Sequence, residues 1–282
     1  MIRRLARAAL LAAPPALVRG VQSLAQDLRG VPARLRDAER RSDPWALAHN
    51  VGAGDWRAVG QAVFDRLRVD GGLTSDSAVL DVGCGTGRVA RPLAEFLSAQ
   101  GGYVGFDVSR RAVEACRRRF GAARPDFRFE WADLRNAHYS PDGDAAEDGY
   151  RFPVDDASVD LAFAASVFTH TRLAVLRRYA VEAARTLKPG GRFVFTAYLW
   201  NDARAAAVAA RTATVRPRFP WRSSWVVSPR DPESAVAHPE AAVFAALADA
   251  GLIVRVVRRG SWAPDGDYGD LQDLIVAETP LH

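Results

Sequence analysis

The sequence predicts an α/β fold: a mostly parallel seven-stranded sheet flanked by helices, with an N-terminal helical extension. Two observations carry this expectation. From residue 79 onward, short apolar runs alternate with stretches of helical periodicity, the rhythm of strands joined by crossover helices. The first run leads into Gly83, Gly85 and Gly87, a turn stripped of side chains where backbone can approach a ligand at the carboxyl end of a sheet.

Residues 1–70 form the extension. Residues 1–41 hold nine arginines against Asp27, Asp37 and Glu39. Leu17, Val21, Leu24, Leu28, Val31 and Leu35 recur at alternating steps of four and three, which puts them on one helical face, interrupted at Gly30 and Pro32. Such a face can pack on the following domain, form a homodimer contact, or lie as a basic amphipathic helix on a membrane surface. Residues 1–13 set basic side chains before an apolar run, in superficial likeness to a signal peptide, but the run carries Arg7 and stops at Pro14 and Pro15. Nothing in the chain reaches the roughly 20 apolar residues of a membrane span.

Residues 71–282 form the main domain. Val79–Val82 reads as the first strand, followed by the glycine turn and a helix over 88–99. A second strand over 103–106 leads to a helix over 110–119, and Phe127–Trp131 is the third strand. Val159–Phe163 is the fourth, with a helix over 173–186 that breaks at Lys188-Pro-Gly-Gly191. Arg192–Thr196 is the fifth; a helix over 239–250 and strands over 252–257 and 271–277 complete the set. Two inserts interrupt the rhythm. Residues 137–150, with Asp142, Asp144, Glu147 and Asp148, read as a solvated acidic loop that lacks the ligand spacing of a calcium site, and no metal is expected. Residues 199–238 interleave Trp200, Phe219, Trp221 and Trp225 with Arg211, Arg216, Arg218 and Arg222, a long segment suited to a lid.

The net charge of +5 invites a nucleic-acid partner, but Lys188 is the sole lysine, the arginines are scattered, and no binding signature accompanies them. None is predicted. Two cysteines, Cys84 and Cys116, make neither a disulfide framework nor a metal motif, which fits a reducing, cytoplasmic setting.

Asp81 ends the first strand and can fix the turn or receive a cationic group. Asp107 ends the second, twenty residues past Gly87, placed for a bidentate hydrogen bond to a ribose diol. A nicotinamide-dinucleotide oxidoreductase uses similar parts, and Gly85–Ala90 fits its G-x-G-x-x-A pattern. The remaining motifs decide between the two. Residues 79–88 (Val-Leu-Asp-Val-Gly-Cys-Gly-Thr-Gly-Arg), 105–109, 132–134, 152–160, 166–170 and 187–193 resemble, in this order, the motifs of class I, Rossmann-like S-adenosylmethionine-dependent methyltransferases of the bacterial small-molecule type. The Asn-Pro-Pro-Tyr type of motif of many nucleobase or glutamine N-methyltransferases is absent, its place taken by Ala165–Phe168.

The resemblance implies S-adenosylmethionine as cofactor and an oxygen or nitrogen of a small molecule (a secondary metabolite, sugar or lipid-linked glycan) as acceptor. Gly83, Cys84, Gly85 and Gly87, with Asp81, would cradle the methionine part. Asp107 would hold the ribose, Val108 would lie on the adenine, and Asp133 and Leu134 would meet its amino edge. Ala165 and Ser166 would line the approach to the sulfonium. His170, just past the fourth strand, is the candidate general base. Phe168, Tyr198, Asn201, Trp221 and Trp225 are the expected acceptor-site residues. A noncatalytic protein acting through its basic N-terminal helices is the alternative from another class.

Overall fold

The computed structural model describes residues 15–37, 40, 43–45 and 54–281. The signal-like stretch over 1–13 lies outside the described residues. The chain divides into two compact units, Met1–Val59 and Gly60–His282.

In the first unit, helix α1 (Pro15–Arg36) carries Leu17, Val21, Leu24, Leu28 and Leu35 on an exposed stripe. Pro32 lies inside α1 without ending it. Arg34 donates to the carbonyls of Arg40, Asp43 and Pro44 at 2.7–3.0 Å, tying these residues back to the helix. Helix α2 (Trp56–Val69) starts where the Asp55 carboxylate accepts from the N–H groups of Arg57 and Ala58, satisfying donors that a helix start leaves over. No described helix is long and apolar enough to cross a membrane.

The second unit is built on strands β1 (Ala78–Val82), β2 (Gly102–Asp107), β3 (Phe127–Trp131), β6 (Val159–Ala164) and β7 (Leu187–Trp200), hydrogen-bonded in the parallel order β3-β2-β1-β6-β7. Strand β12 (Asp273–Glu278) runs antiparallel between β7 and β11 (Ile253–Arg258). These are the seven expected strands. Helices α3 (Ala90–Phe96), α4 (Arg110–Phe120), α5 (Leu173–Thr186) and α7 (Glu240–Asp249) cover the sheet. Alternation along each strand feeds two cores. Leu80, Val82, Ala162, Phe193 and Phe195 pack with Leu176, Ala180, Val243 and Leu247 on one face. Val79, Leu161, Phe163 and Val194 pack with Phe64, Leu67, Leu93 and Val113 on the other. A sheet buried on both faces needs apolar residues at successive positions, which is why its strands read as continuous apolar runs.

Four features differ from the sequence expectation. The sheet has ten strands, because β10 (Val236–Pro239), β9 (Ser224–Val226) and β8 (Phe219–Trp221) from the long insert extend it beyond the end of β7. Strand β7 is fourteen residues long and runs through Lys188–Gly191 rather than starting after it; Phe193–Ala197 pair with β12 and Tyr198–Trp200 with β10. The helix after the glycine turn is short, Ala90–Phe96. The acidic insert is likewise partly ordered: β4 (Leu134–Arg135) pairs with β5 (Ala145–Ala146), and Glu147 is buried while Asp142, Asp144 and Asp148 are exposed.

Candidate active site

The β1–α3 turn is shaped by backbone that only glycine adopts readily. Gly83, Gly85 and Gly87 have φ of 77, 53 and 78°. A Cβ at Gly83 would stand 2.6 Å from Val167 Cγ2, so no other residue lets the turn lie against the end of β6. Asp107 fixes the turn from the next strand, its carboxylate accepting from Gly85 N and Ser109 N, each at 2.8 Å. Burial raises the Asp107 pKa and these two hydrogen bonds oppose the rise. Each carboxylate oxygen keeps a second lone pair for a ribose hydroxyl. Asp81 is buried behind the turn and accepts from the Tyr103 hydroxyl at 2.7 Å; burial pushes its pKa up to about 7.

Val108 and Asp133 are half-buried at the ends of β2 and β3, where adenine contacts are expected. Leu134 is fully buried in the core, so only its backbone is left for a ligand. The Cys84 thiol is likewise buried, facing Cys116 behind the turn, and burial and that neighbour push its pKa up. Ala165 is half-buried at the end of β6. Ser166 holds a left-handed φ of 63°, a strained geometry of the kind that clusters at functional sites. Its hydroxyl donates to Gln272 Oε1 at 3.2 Å, and its N–H to Thr196 Oγ1 at 2.8 Å.

His170 sits where the two inserts meet. Its Nδ1 donates to the Glu233 carbonyl at 2.9 Å, and its ring stacks 5.6 Å from that of His138. Burial lowers its pKa to about 4, so at neutral pH the ring is uncharged with its lone pair on Nε2. Around it lies a network that the sequence did not disclose. Asn136 donates to the His170 carbonyl and to Glu147 Oε1, both at 3.1 Å. Glu233 accepts from Ala137 N at 2.6 Å. The Asp231 carboxylate holds His138 Nδ1 at 3.2 Å. Glu147 Oε2 is buried without a hydrogen-bond partner, and burial raises that carboxyl to about 7. No local pattern announces these residues; they come from both inserts and meet only in the folded chain. Among the described residues, no group of three or more His, Cys, Asp or Glu side chains is placed to hold a metal ion.

Three expected acceptor-site residues make structural contacts of their own. Phe168 is fully buried against Phe193, Phe195 and Tyr179, since it follows the strand into the core. Tyr198 is buried with Trp262, 5.5 Å between rings, under the insert. Asn201 caps helix α6 (Asp202–Ala209) by accepting from Arg204 N, and its amide donates to Glu240. Trp225 stacks on Trp200 at 4.9 Å, and Trp221 lies half-buried on the outermost strand β8.

Residues 79–191 match the family profile described as a methyltransferase domain. Over these residues the chain carries a methyltransferase domain. The O-methyltransferase cnsE of Penicillium expansum is 31% identical over 140 residues, a match spanning 48% of this chain and 44% of that protein. The chain therefore spans less than half the length of this curated relative. A S-adenosylmethionine-dependent methyltransferase from Methanosarcina mazei superposes with a TM-score of 0.50 at 20% identity, over 76% of this chain and 98% of its own. A Pyrococcus horikoshii protein gives 0.56 at 15% identity, over 86% and 99%. A geranyl diphosphate methyltransferase solved with S-adenosylmethionine gives 0.50 at 15% identity, over 79% and 84%. These likenesses show the fold of the domain.

Proposed function

We propose that residues 71–282 transfer a methyl group from S-adenosylmethionine to an oxygen or nitrogen of a small-molecule acceptor, with residues 199–238 as the cover of the acceptor site. The observation that carries this reading is the turn of three left-handed glycines held to the Asp107 carboxylate. When bound, S-adenosylmethionine supplies a methyl group on a sulfonium, already a strong electrophile, so the protein needs no covalent nucleophile. Gly83–Gly87 would hold the methionine part, Asp107 the ribose, and Val108, Asp133 and the Leu134 backbone the adenine. His170 Nε2 would accept the proton that the acceptor gives up. Two free, buried thiols, Cys84 and Cys116, accord with a reducing, cytoplasmic setting.

Calorimetric titration tests the cofactor. S-adenosylmethionine should bind and NAD should not, and Asp107→Ala should weaken binding by about 10- to 100-fold, the worth of charge-assisted hydrogen bonds. Binding of NAD alone refutes the reading. Transfer of labelled methyl groups into a host extract, with mass identification of the product, names the acceptor.

The exposed Leu17, Val21, Leu24, Leu28 and Leu35 stripe of α1 favours a second role, contact with a membrane surface or with another copy of the chain. Leu24→Glu with Leu28→Glu should then abolish vesicle co-sedimentation or reduce the mass by light scattering. If neither changes, α1 has no such role.

A further inference from the structure

Between Asp202 and Asp231 the chain carries six arginines and no aspartate or glutamate. Arg204 is taken up inside the fold by Asp265 and Asp273. Arg216, Arg218 and Arg222 are exposed, and none of their guanidinium groups forms an ion pair or hydrogen bond with a described residue. They lie on and beside the β8–β9 hairpin, whose strand β8 is the free edge of the large sheet. Trp221 pairs with Ser224, so Arg222 and Ser223 make the tip of this hairpin. Arg222 holds a φ of 53° there, a conformation that glycine or asparagine takes more cheaply. A cation kept at a strained, exposed tip with no partner in its own chain points outward for one. Apolar side chains are interleaved with these charges. Arg218 lies 5.7 Å over the ring of Phe219 and Arg222 5.8 Å over that of Trp221, while Phe219 and Val227 are themselves exposed. Arginines beside exposed rings and no acidic side chain suit a surface of lipid phosphates, with the rings at the boundary of headgroups and acyl chains. Other partners fit less well. Pro220, in the middle of β8, has no N–H to give, so the edge is a poor template for a further strand. The guanidinium groups over Phe219 and Trp221 take ring faces on which a nucleobase would stack.

We propose that the β8–β9 hairpin is a docking surface for an anionic lipid membrane, with Arg216, Arg218 and Arg222 on lipid phosphates and Phe219 in the interface. This surface is distinct from the α1 stripe, and it goes beyond the methyltransferase reading without resting on it.

Co-sedimentation of the full chain with vesicles tests the proposal. The parent should bind vesicles of phosphatidylglycerol and phosphatidylcholine in equal parts but not phosphatidylcholine alone, and rising salt should release it. Arg216→Gln, Arg218→Gln and Arg222→Gln together should weaken binding about 100-fold, at roughly fivefold per arginine. Phe219→Ser, which keeps the charge, should weaken it about tenfold. A control with the same loss of charge at exposed sites elsewhere, Arg111→Gln, Arg118→Gln and Arg177→Gln, should bind as the parent does. Equal melting temperatures show that the variants fold. A parent that stays in the supernatant with the anionic vesicles overturns the proposal, as does a hairpin variant that binds like the parent or no worse than the control. Capture of a mixed-sequence single-stranded RNA through the same arginines, without vesicle binding, overturns it in favour of nucleic acid. Calorimetry with S-adenosylmethionine, which should bind parent and hairpin variant alike, keeps the two readings apart: a parent that binds vesicles through the hairpin but no S-adenosylmethionine keeps the surface and removes the methyltransferase reading.

Discussion

An imidazole that donates one ring proton to a fixed carbonyl has its tautomer chosen for it. His170 is in that position, with Nδ1 on the Glu233 carbonyl and the lone pair on Nε2. Burial holds its pKa at about 4, so the ring stays neutral over the whole neutral range. A histidine base of ordinary pKa would lose activity as pH falls through about 6.5. Here turnover should stay level down to about pH 5, because the base protonates only near its depressed value. His170→Ala should lower turnover about 100-fold or more, the usual worth of a general base, with cofactor affinity unchanged in calorimetry. Full turnover in that variant removes His170 as the base, and an acid limb centred near 6.5 would show that burial does not govern it.

At the scale of elements, the long insert is fixed to the sheet rather than draped over it. Val236 N donates to the Thr169 carbonyl at 2.8 Å, and His238 bridges the Phe168 carbonyl and the Ser224 hydroxyl. Asn201, at the head of the insert, is a helix cap, which sets a test apart from an acceptor contact. Asn201→Ala should cost about 1 kcal/mol of stability, seen as a lower Tm, while label transfer persists. Lost transfer at an unchanged Tm would return Asn201 to the acceptor site. The contrast explains what the sequence made legible. The cofactor end is written locally: three glycines after an apolar run, and carboxylates at Asp81 and Asp107 at the ends of successive strands. Each needs only the strand and helix periodicities to be placed. The network around His170, where the acceptor is proposed to bind, is written across the chain, since Asn136, Glu147, His170 and Glu233 converge from three separate segments, and no periodicity signals a meeting of 137 with 233. The packing of Phe168 and Tyr198 and the capping by Asn201 were not legible, because nearness to a strand end gives position but not the direction of the side chain. The strands of the insert were hidden for a related reason, being three or four residues long and formed only by pairing with the end of β7.

Across the whole molecule, buried titratable groups set opposing pH responses. Burial lifts Asp81 and Glu147 to about 7, so the folded chain holds protons there that the unfolded chain has released, and their contribution to stability declines as pH rises from about 4 towards 7. His238 acts in the other sense. Burial lowers it to about 4 from the ordinary 6.5, so the unfolded chain takes the proton first; its contribution is complete above 6.5 and is lost as pH falls towards 4. Unlike His170, this ring is fully enclosed, bonded at both nitrogens, and takes no part in the proposed chemistry. It therefore isolates the effect. His238→Gln should be less stable than the parent at pH 7, having lost a fitted ring in the core. That deficit should shrink by about 1.4 kcal/mol per pH unit between 6.5 and 4, because only the parent then pays to keep a histidine uncharged. Denaturant unfolding at half-unit steps of pH reads the difference directly. A deficit that stays constant from pH 7 to 4.5 would show that His238 protonates equally in the folded and unfolded chain, and so that the junction between insert and sheet is open to water.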